Sequence, residues 1–126
     1  MPGSVKEMLA AANATVPKLS FEEAAALVGR DHVLVVDVRD TPEVQSTGKI
    51  PGAVHVSRGM IEFRADPESP YHDKAFSHDK VVLLYCASGG RSALAARSLQ
   101  DLGYHDVCNL GSIKDWIASG GAVEKV

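Results

Sequence analysis

The sequence predicts an α/β fold, a parallel sheet flanked by helices on both faces. Val33-Leu34-Val35-Val36-Asp37 and Val81-Val82-Leu83-Leu84-Tyr85 are continuous apolar runs, the pattern of strands buried on both sides. Around them lie segments whose apolar residues recur at helical spacing, so strands alternate with helices. Strands joined through a helical crossover lie parallel. With 126 residues the chain is one domain by size, long enough for a core of its own.

The elements follow in chain order. Ser4 and Glu7 read as a capping box, and Val5, Met8, Leu9 and Ala12 as the apolar stripe of a first helix that Pro17 ends. Residues 1–17 are read as a helical N-terminal extension and 18–126 as the domain proper. Ser20 and Glu23 repeat the box, Phe21, Ala24, Ala25 and Val28 form the next stripe, and Gly29 stops that helix. After the first strand, Thr41-Pro42-Glu43 reads as a helix cap, a first-turn proline and an acid. Ile50-Pro51-Gly52-Ala53 turns into a short strand around Val54-His55-Val56. Residues 64–80 carry Pro67 and Pro70 and read either as a plain surface loop or as a lid over the site. Beyond the second long strand, residues 91–102 form a helix with Ala95, Leu99 and Leu102 inward and Gly103 as its stop. Asp106-Val107-Cys108-Asn109-Leu110 is the last strand, and Ile113, Trp116 and Ile117 mark a final helix closed by Gly120-Gly121.

Composition narrows the function. A net charge of −3 gives no general attraction to nucleic acid or to an anionic membrane. No apolar run approaches the roughly 20 residues of a membrane span. Met8-Leu9-Ala10-Ala11-Ala12 behind Lys6 is too short for a signal peptide, so the Asn13-Ala14-Thr15 glycosylation pattern is set aside. Two cysteines are too few for a disulfide framework, and a reducing cytoplasm is the expected location. The five histidines lack metal-ligand spacing, so neither a metal nor a cofactor is expected.

Sites in parallel sheets lie at the carboxyl ends of strands, and Asp37 and Cys86 both fall there. Cys86 is followed by Ala87-Ser88-Gly89-Gly90-Arg91-Ser92 and then by the helix. The strand fixes the cysteine, and the glycines let the backbone curl until successive N–H groups face one point. The helix adds the positive end of its dipole. A thiol in such a cradle, with a guanidinium five positions on, ionises more readily than a free one. The plain alternative is a buried cysteine ending a core strand, which does not need the Gly-Gly and Arg that follow.

Cys86 is therefore the candidate nucleophile, and Ala87, Ser88, Gly89, Gly90, Arg91 and Ser92 the candidate binding loop. Arg91 either binds an anionic substrate or braces the loop through a carboxylate, with Asp37 as the candidate partner and supporting residue. Ser92 caps the first turn, its hydroxyl within reach of the Cys86 sulfur. Arg58 and Arg64, with Glu62 between them, either recruit an anion or form a solvated charged face. Cys108 alternates with apolar neighbours and reads as inert core.

The loop Cys86-Ala87-Ser88-Gly89-Gly90-Arg91-Ser92 resembles the Cys-x-x-Gly-x-Arg-Ser active-site loop of rhodanese-family sulfurtransferases. Asp37-Val38-Arg39 followed by Gly48-Lys49-Ile50-Pro51-Gly52-Ala53 resembles the family's upstream signature. Gly103-Tyr104, Leu110-Gly111 and Trp116 resemble its closing segment. Lys49 departs from the usual histidine, and Gly111-Ser112 from the usual Gly-Gly. The resemblance implies a rhodanese-like sheet and a sulfurtransferase. Its partners would be a small sulfur-containing anion such as thiosulfate as donor and a thiol, cyanide or protein persulfide-forming cysteine as acceptor, with a persulfide on Cys86 between them. Four residues separate Cys86 from Arg91, whereas cysteine-dependent phosphatases resemble Cys-x5-Arg. The tighter loop suits one added sulfur atom better than a tetrahedral phosphate. Two rival readings stay open: a non-catalytic binding or regulatory module on the same fold, and a cysteine phosphatase or arsenate reductase.

Overall fold

The computed structural model describes residues 3–126. Four parallel strands form one sheet in the order β2-β1-β3-β4, where β1 is Val33–Asp37, β2 Val54–His55, β3 Val81–Cys86 and β4 Val107–Ser112. The two apolar runs become the central strands β1 and β3. Their register runs from Val33 opposite Val81 to Asp37 opposite Tyr85, which brings Asp37 and Cys86 to one end of the sheet.

Among the described residues six α-helices accompany the strands: α1 Val5–Thr15, α2 Phe21–Leu27, α3 Thr41–Thr47, α4 Ile61–Ala65, α5 Gly90–Asp101 and α6 Ile113–Ala118. Successive strand side chains point to opposite faces, so the sheet feeds two cores. On one face Val36, Val38, Leu84 and Cys86 pack with Ile61 of α4 and Ala95 and Leu99 of α5. On the other, Val35, Leu83 and Tyr85 pack with Ala24 of α2 and Ile113 and Trp116 of α6. Helices thus cover both faces, as the alternating pattern required.

Strand β4 carries a bulge. Leu84 stands opposite Asn109 and Tyr85 opposite Gly111, leaving Leu110 as the extra residue beside the end of β3. The outer edge of β4 is covered by the segment after α1: the Asn109 amide donates to the Pro17 carbonyl at 2.8 Å, and the Leu19 amide to the Asn109 carbonyl at 3.1 Å.

Several elements differ from expectation. Only the carboxyl-terminal part of α1 is buried, with Ala12 and Val16 enclosed while Val5 and Met8 are 64% and 46% exposed. The helix crosses α5 at that end, where the Arg97 guanidinium donates to Thr15 Oγ1 and the Gln100 amide to the Thr15 carbonyl. Ser4 accepts from the Glu7 amide, but Glu7 meets the Ser4 hydroxyl rather than its amide, so the first capping box is half made. In α2 Ala25 is exposed and Leu27 packs inward in its place. Asp40, not Thr41, caps α3.

Residues 66–80 form chained turns whose anchor is Phe76, buried edge-on against Tyr104. The Tyr104 hydroxyl donates to the Ala65 carbonyl at 2.6 Å, and His78 stacks on its ring. Tyr104 follows the carboxyl end of α5 and residue 81 opens β3, so this segment docks at the end of the sheet remote from Cys86. It is packed structure on the core, not a lid.

Candidate active site

Cys86 ends β3 with its side chain on the α5 face, fully buried. The backbone then turns through Gly89, whose φ of +99° is the left-handed region that a residue with a Cβ resists. That conformation points the Gly89 N–H at Cys86 Sγ, 3.0 Å away. Gly90 opens α5, so Arg91 and Ser92 occupy its first turn. The Ser92 hydroxyl lies 3.5 Å from Sγ. Burial pushes the Cys86 thiol up, but hydrogen bonds from the Ser92 hydroxyl and from the Ser92, Ser88 and Gly89 amides outweigh it. The net effect is a thiol below the ordinary cysteine range.

Arg91 is a brace, but its partner is not Asp37. Its two terminal nitrogens donate to the two Glu43 carboxylate oxygens at 2.7 and 2.8 Å, a bidentate pair. Glu43 Oε1 also accepts from the Asp40 amide, so one carboxylate caps α3 and holds the loop. The Arg91 hydrogen bond is the main reason that the Glu43 carboxyl titrates at about 2. Asp37 lies on the opposite sheet face beside Tyr85 and cannot reach the α5 side. It binds Arg39 instead, at 2.7 Å between Oδ2 and a terminal nitrogen. Arg39 then donates to Thr47 Oγ1 and to the Gly48 carbonyl, tying β1 to the end of α3.

Two residues of β4 complete the loop's support. Ser112 caps α6 by accepting from the Asp115 amide and donates to the Ala87 carbonyl at 2.8 Å. Asn109 Nδ2 donates to the Gly89 carbonyl at 3.1 Å, and Asn109 Oδ1 accepts from the Ser92 hydroxyl at 2.8 Å. Glu43 and Asn109 were not singled out from sequence. A buried asparagine within an apolar strand was the available signal for the second. Arg58 pairs with Glu62 and donates to Ser98 of α5, which makes it part of the α4–α5 contact. Cys108 stands opposite Leu83 and packs on the other sheet face, where burial raises its thiol. It cannot meet Cys86.

The arrangement can do one thing well: hold a thiolate, or a negative sulfur attached to it, against converging N–H groups. The Rhodanese-like domain profile matches residues 20–119. The chain belongs to the rhodanese-like domain family.

The thiosulfate:glutathione sulfurtransferase of Saccharomyces cerevisiae is 30% identical over 84% of this chain and 81% of its own length. The crystal structure of the yeast single-domain sulfurtransferase RDL2 superposes with a TM-score of 0.69 at 31% identity, covering 88% of this chain and 96% of that one. A protein from Rhodopseudomonas palustris CGA009, described as of unknown function and a possible tyrosine phosphatase, superposes at a TM-score of 0.90 with 42% identity, covering 98% and 99%. Against the Bacillus subtilis protein YrkF, 31% identical, the chain spans about half of that protein's length (51%). Among the described residues no helix is long and apolar enough to cross a membrane.

Proposed function

We propose that this protein is a rhodanese-type sulfurtransferase that carries sulfane sulfur as a persulfide on Cys86. The observation that supports this best is the buried Sγ taking the Gly89 N–H at 3.0 Å, in a loop of four residues between Cys86 and Arg91. In the first step the thiolate attacks the outer sulfur of thiosulfate. The new S–S bond takes the place of the bond to sulfite, which leaves with its electron pair as SO₃²⁻. In the second step an acceptor thiolate, from a small thiol or a protein cysteine, attacks the outer sulfur and releases Cys86 as thiolate. The negative charge stays on sulfur throughout, so no general acid is needed. The loop amides supply the stabilisation where the charge sits. A nucleophilic thiol must be kept reduced, which suits the cytoplasm.

Intact mass after incubation with thiosulfate tests this. The wild type gains about 32 Da, one sulfur atom, and cyanide removes it, while Cys86→Ser gains nothing. An adduct on Cys86→Ser, or none on the reduced wild type with thiosulfate or a persulfide donor, overturns the reading.

The Rhodopseudomonas palustris neighbour's description gives the phosphatase reading a specific reason to be tested. Two features weigh against it: the loop is one residue shorter than Cys-x5-Arg, and Glu43, the carboxylate at the loop, is ionised down to about pH 2 and cannot donate a proton to a leaving group. Turnover of an aryl phosphate that Cys86→Ser abolishes would favour it.

A further inference from the structure

Ser92 has one hydroxyl proton and three acceptors around it. Asn109 Oδ1 is at 2.8 Å, the Gly89 carbonyl at 3.1 Å and Cys86 Sγ at 3.5 Å. The surroundings decide which one receives it. The Gly89 carbonyl can only accept, so the Asn109 nitrogen must face it, and Oδ1 is thereby turned to Ser92. Oδ1 in turn can only accept, so Ser92 donates to it and presents lone pairs to Cys86. A protonated Cys86 fits that arrangement as donor to Ser92; a thiolate does not. For Ser92 to donate to a thiolate, its hydroxyl must rotate away from Asn109.

We infer that Asn109 is a positioning residue that competes with Cys86 for the Ser92 hydroxyl and so sets how readily the thiolate forms. In the thiolate the Ser92 proton turns to Sγ. Once sulfur is loaded, Sγ is a neutral disulfide sulfur, the charge has moved one atom outward to the loop amides, and the hydroxyl returns to Asn109. The thiolate is therefore stabilised less than the loop alone would allow, which keeps it nucleophilic, because nucleophilicity falls as thiol pKa falls. Asn109 can hold this position because its own backbone is fixed on both sides, by Leu84 of β3 and by Pro17 and Leu19. The bulge after it lets the strand continue to Gly111 and Ser112 without moving it.

The charged groups around Cys86 leave this competition intact. Arg91 is engaged by Glu43 of α3, Asp37 by Arg39 on the far face of β1, and Arg58 by Glu62 before α5. Lys18 beside β4 donates to the Leu19 and Leu110 carbonyls.

The inference rests on the reading of Cys86 as the working thiol, and its test does not need sulfur transfer. The pH dependence of iodoacetamide alkylation at Cys86 reads ionisation directly. Asn109→Ala removes the competitor, and the inflection moves down by about one pH unit, a tenfold gain in thiolate at low pH. In a Ser92→Ala background the same substitution gives no downward shift, since there is no hydroxyl to release. Asn109→Asp keeps an acceptor towards Ser92 and leaves the inflection at or above that of the wild type. A merely structural asparagine would loosen the Gly89 carbonyl in both variants and move both inflections upward. An upward or absent shift in Asn109→Ala, a downward shift that persists without Ser92, or a downward shift in Asn109→Asp each overturns the inference. Far-ultraviolet circular dichroism confirms that the variants compared are folded. Failure here with persulfide loading intact removes the role of Asn109 alone; loss of loading on thiosulfate removes the function proposed for Cys86.

Discussion

Asp37 and Arg39 are 0% and 1% exposed, so each charge depends on the other for the solvation that water would have supplied. Truncating one leaves the other buried without its partner. Asp37→Asn and Arg39→Met should each lower stability by about 3–5 kcal/mol in urea unfolding. The double variant should lose less than the sum, because it strands no charge; a fully additive loss would show that the pair does not act as a unit. Glu43 with Arg91 is the opposite case, an ion pair with both side chains about one-third exposed (36% and 37%). Its net worth is about 1 kcal/mol or less after solvent screening. Glu43 titrates below its ordinary 4.5, at about 2 when folded, so its contribution is complete above 4.5 and fades as pH falls towards 2. Glu43→Gln should therefore be less stable than wild type at about pH 7, with the gap narrowing at about pH 3. An equal gap at both values would show that Glu43 does not carry the difference.

The cradle is made by an element, the turn between β3 and α5, and its geometry hangs on Gly89. Alanine there would meet Gly111 at 3.6 Å, an ordinary contact, so the obstacle is the backbone and not the space. A φ of +99° should cost Gly89→Ala about 1–2 kcal/mol if kept. If relieved, the amide turns off Sγ. Thermal unfolding checks the first outcome, and an upward shift of the alkylation inflection checks the second. Unchanged stability together with an unchanged inflection would show that the amide at 3.0 Å does not matter. This turn was legible in the sequence because strand, glycines and helix are adjacent there. The buried strands were legible for a related reason: enclosure on both faces leaves apolar runs. What lay beyond reach depended on which elements meet. The stripe of α1 predicts an inward Val5 and Met8, yet both are exposed and the enclosed positions are Ala12 and Val16. Asp37 ends β1 and Glu43 follows it in α3, and strand alternation puts Asp37 on the wrong face for Arg91. The choice between Asp40 and Thr41 as the α3 cap turned on one residue of register, and that register carries Glu43 to the loop.

Across the whole molecule, support for Cys86 is uneven. Strand β3 has a partner on each side along its length, β1 against Val81–Tyr85 and β4 against Val82–Cys86. Strand β1 has two neighbours only at its carboxyl end, where β2 covers Val36 and Asp37. Strand β2 is a two-residue edge, and the outer edge of β4 is covered by little more than the Pro17–Leu19 segment. Local opening follows hydrogen bonding and burial, so the strands should open from the edges inward rather than together. Native-state hydrogen exchange over a urea series should show β3 amides exchanging only through global unfolding, with Val54 and His55 released at lower free energy. Asn109 should fall between them, since its amide depends on Pro17 and hence on the docking of α1. Removing residues 1–16 should then accelerate exchange at Asn109 and leave Leu83 and Leu84 tied to the global transition. Equal acceleration throughout β3 would mean that α1 is part of one cooperative unit with the sheet. A selective effect would place the sulfur-bearing residue on the most persistent strand and the residue opposite Ser92 on a separately releasable one, so that the thiol stays fixed while its surroundings relax.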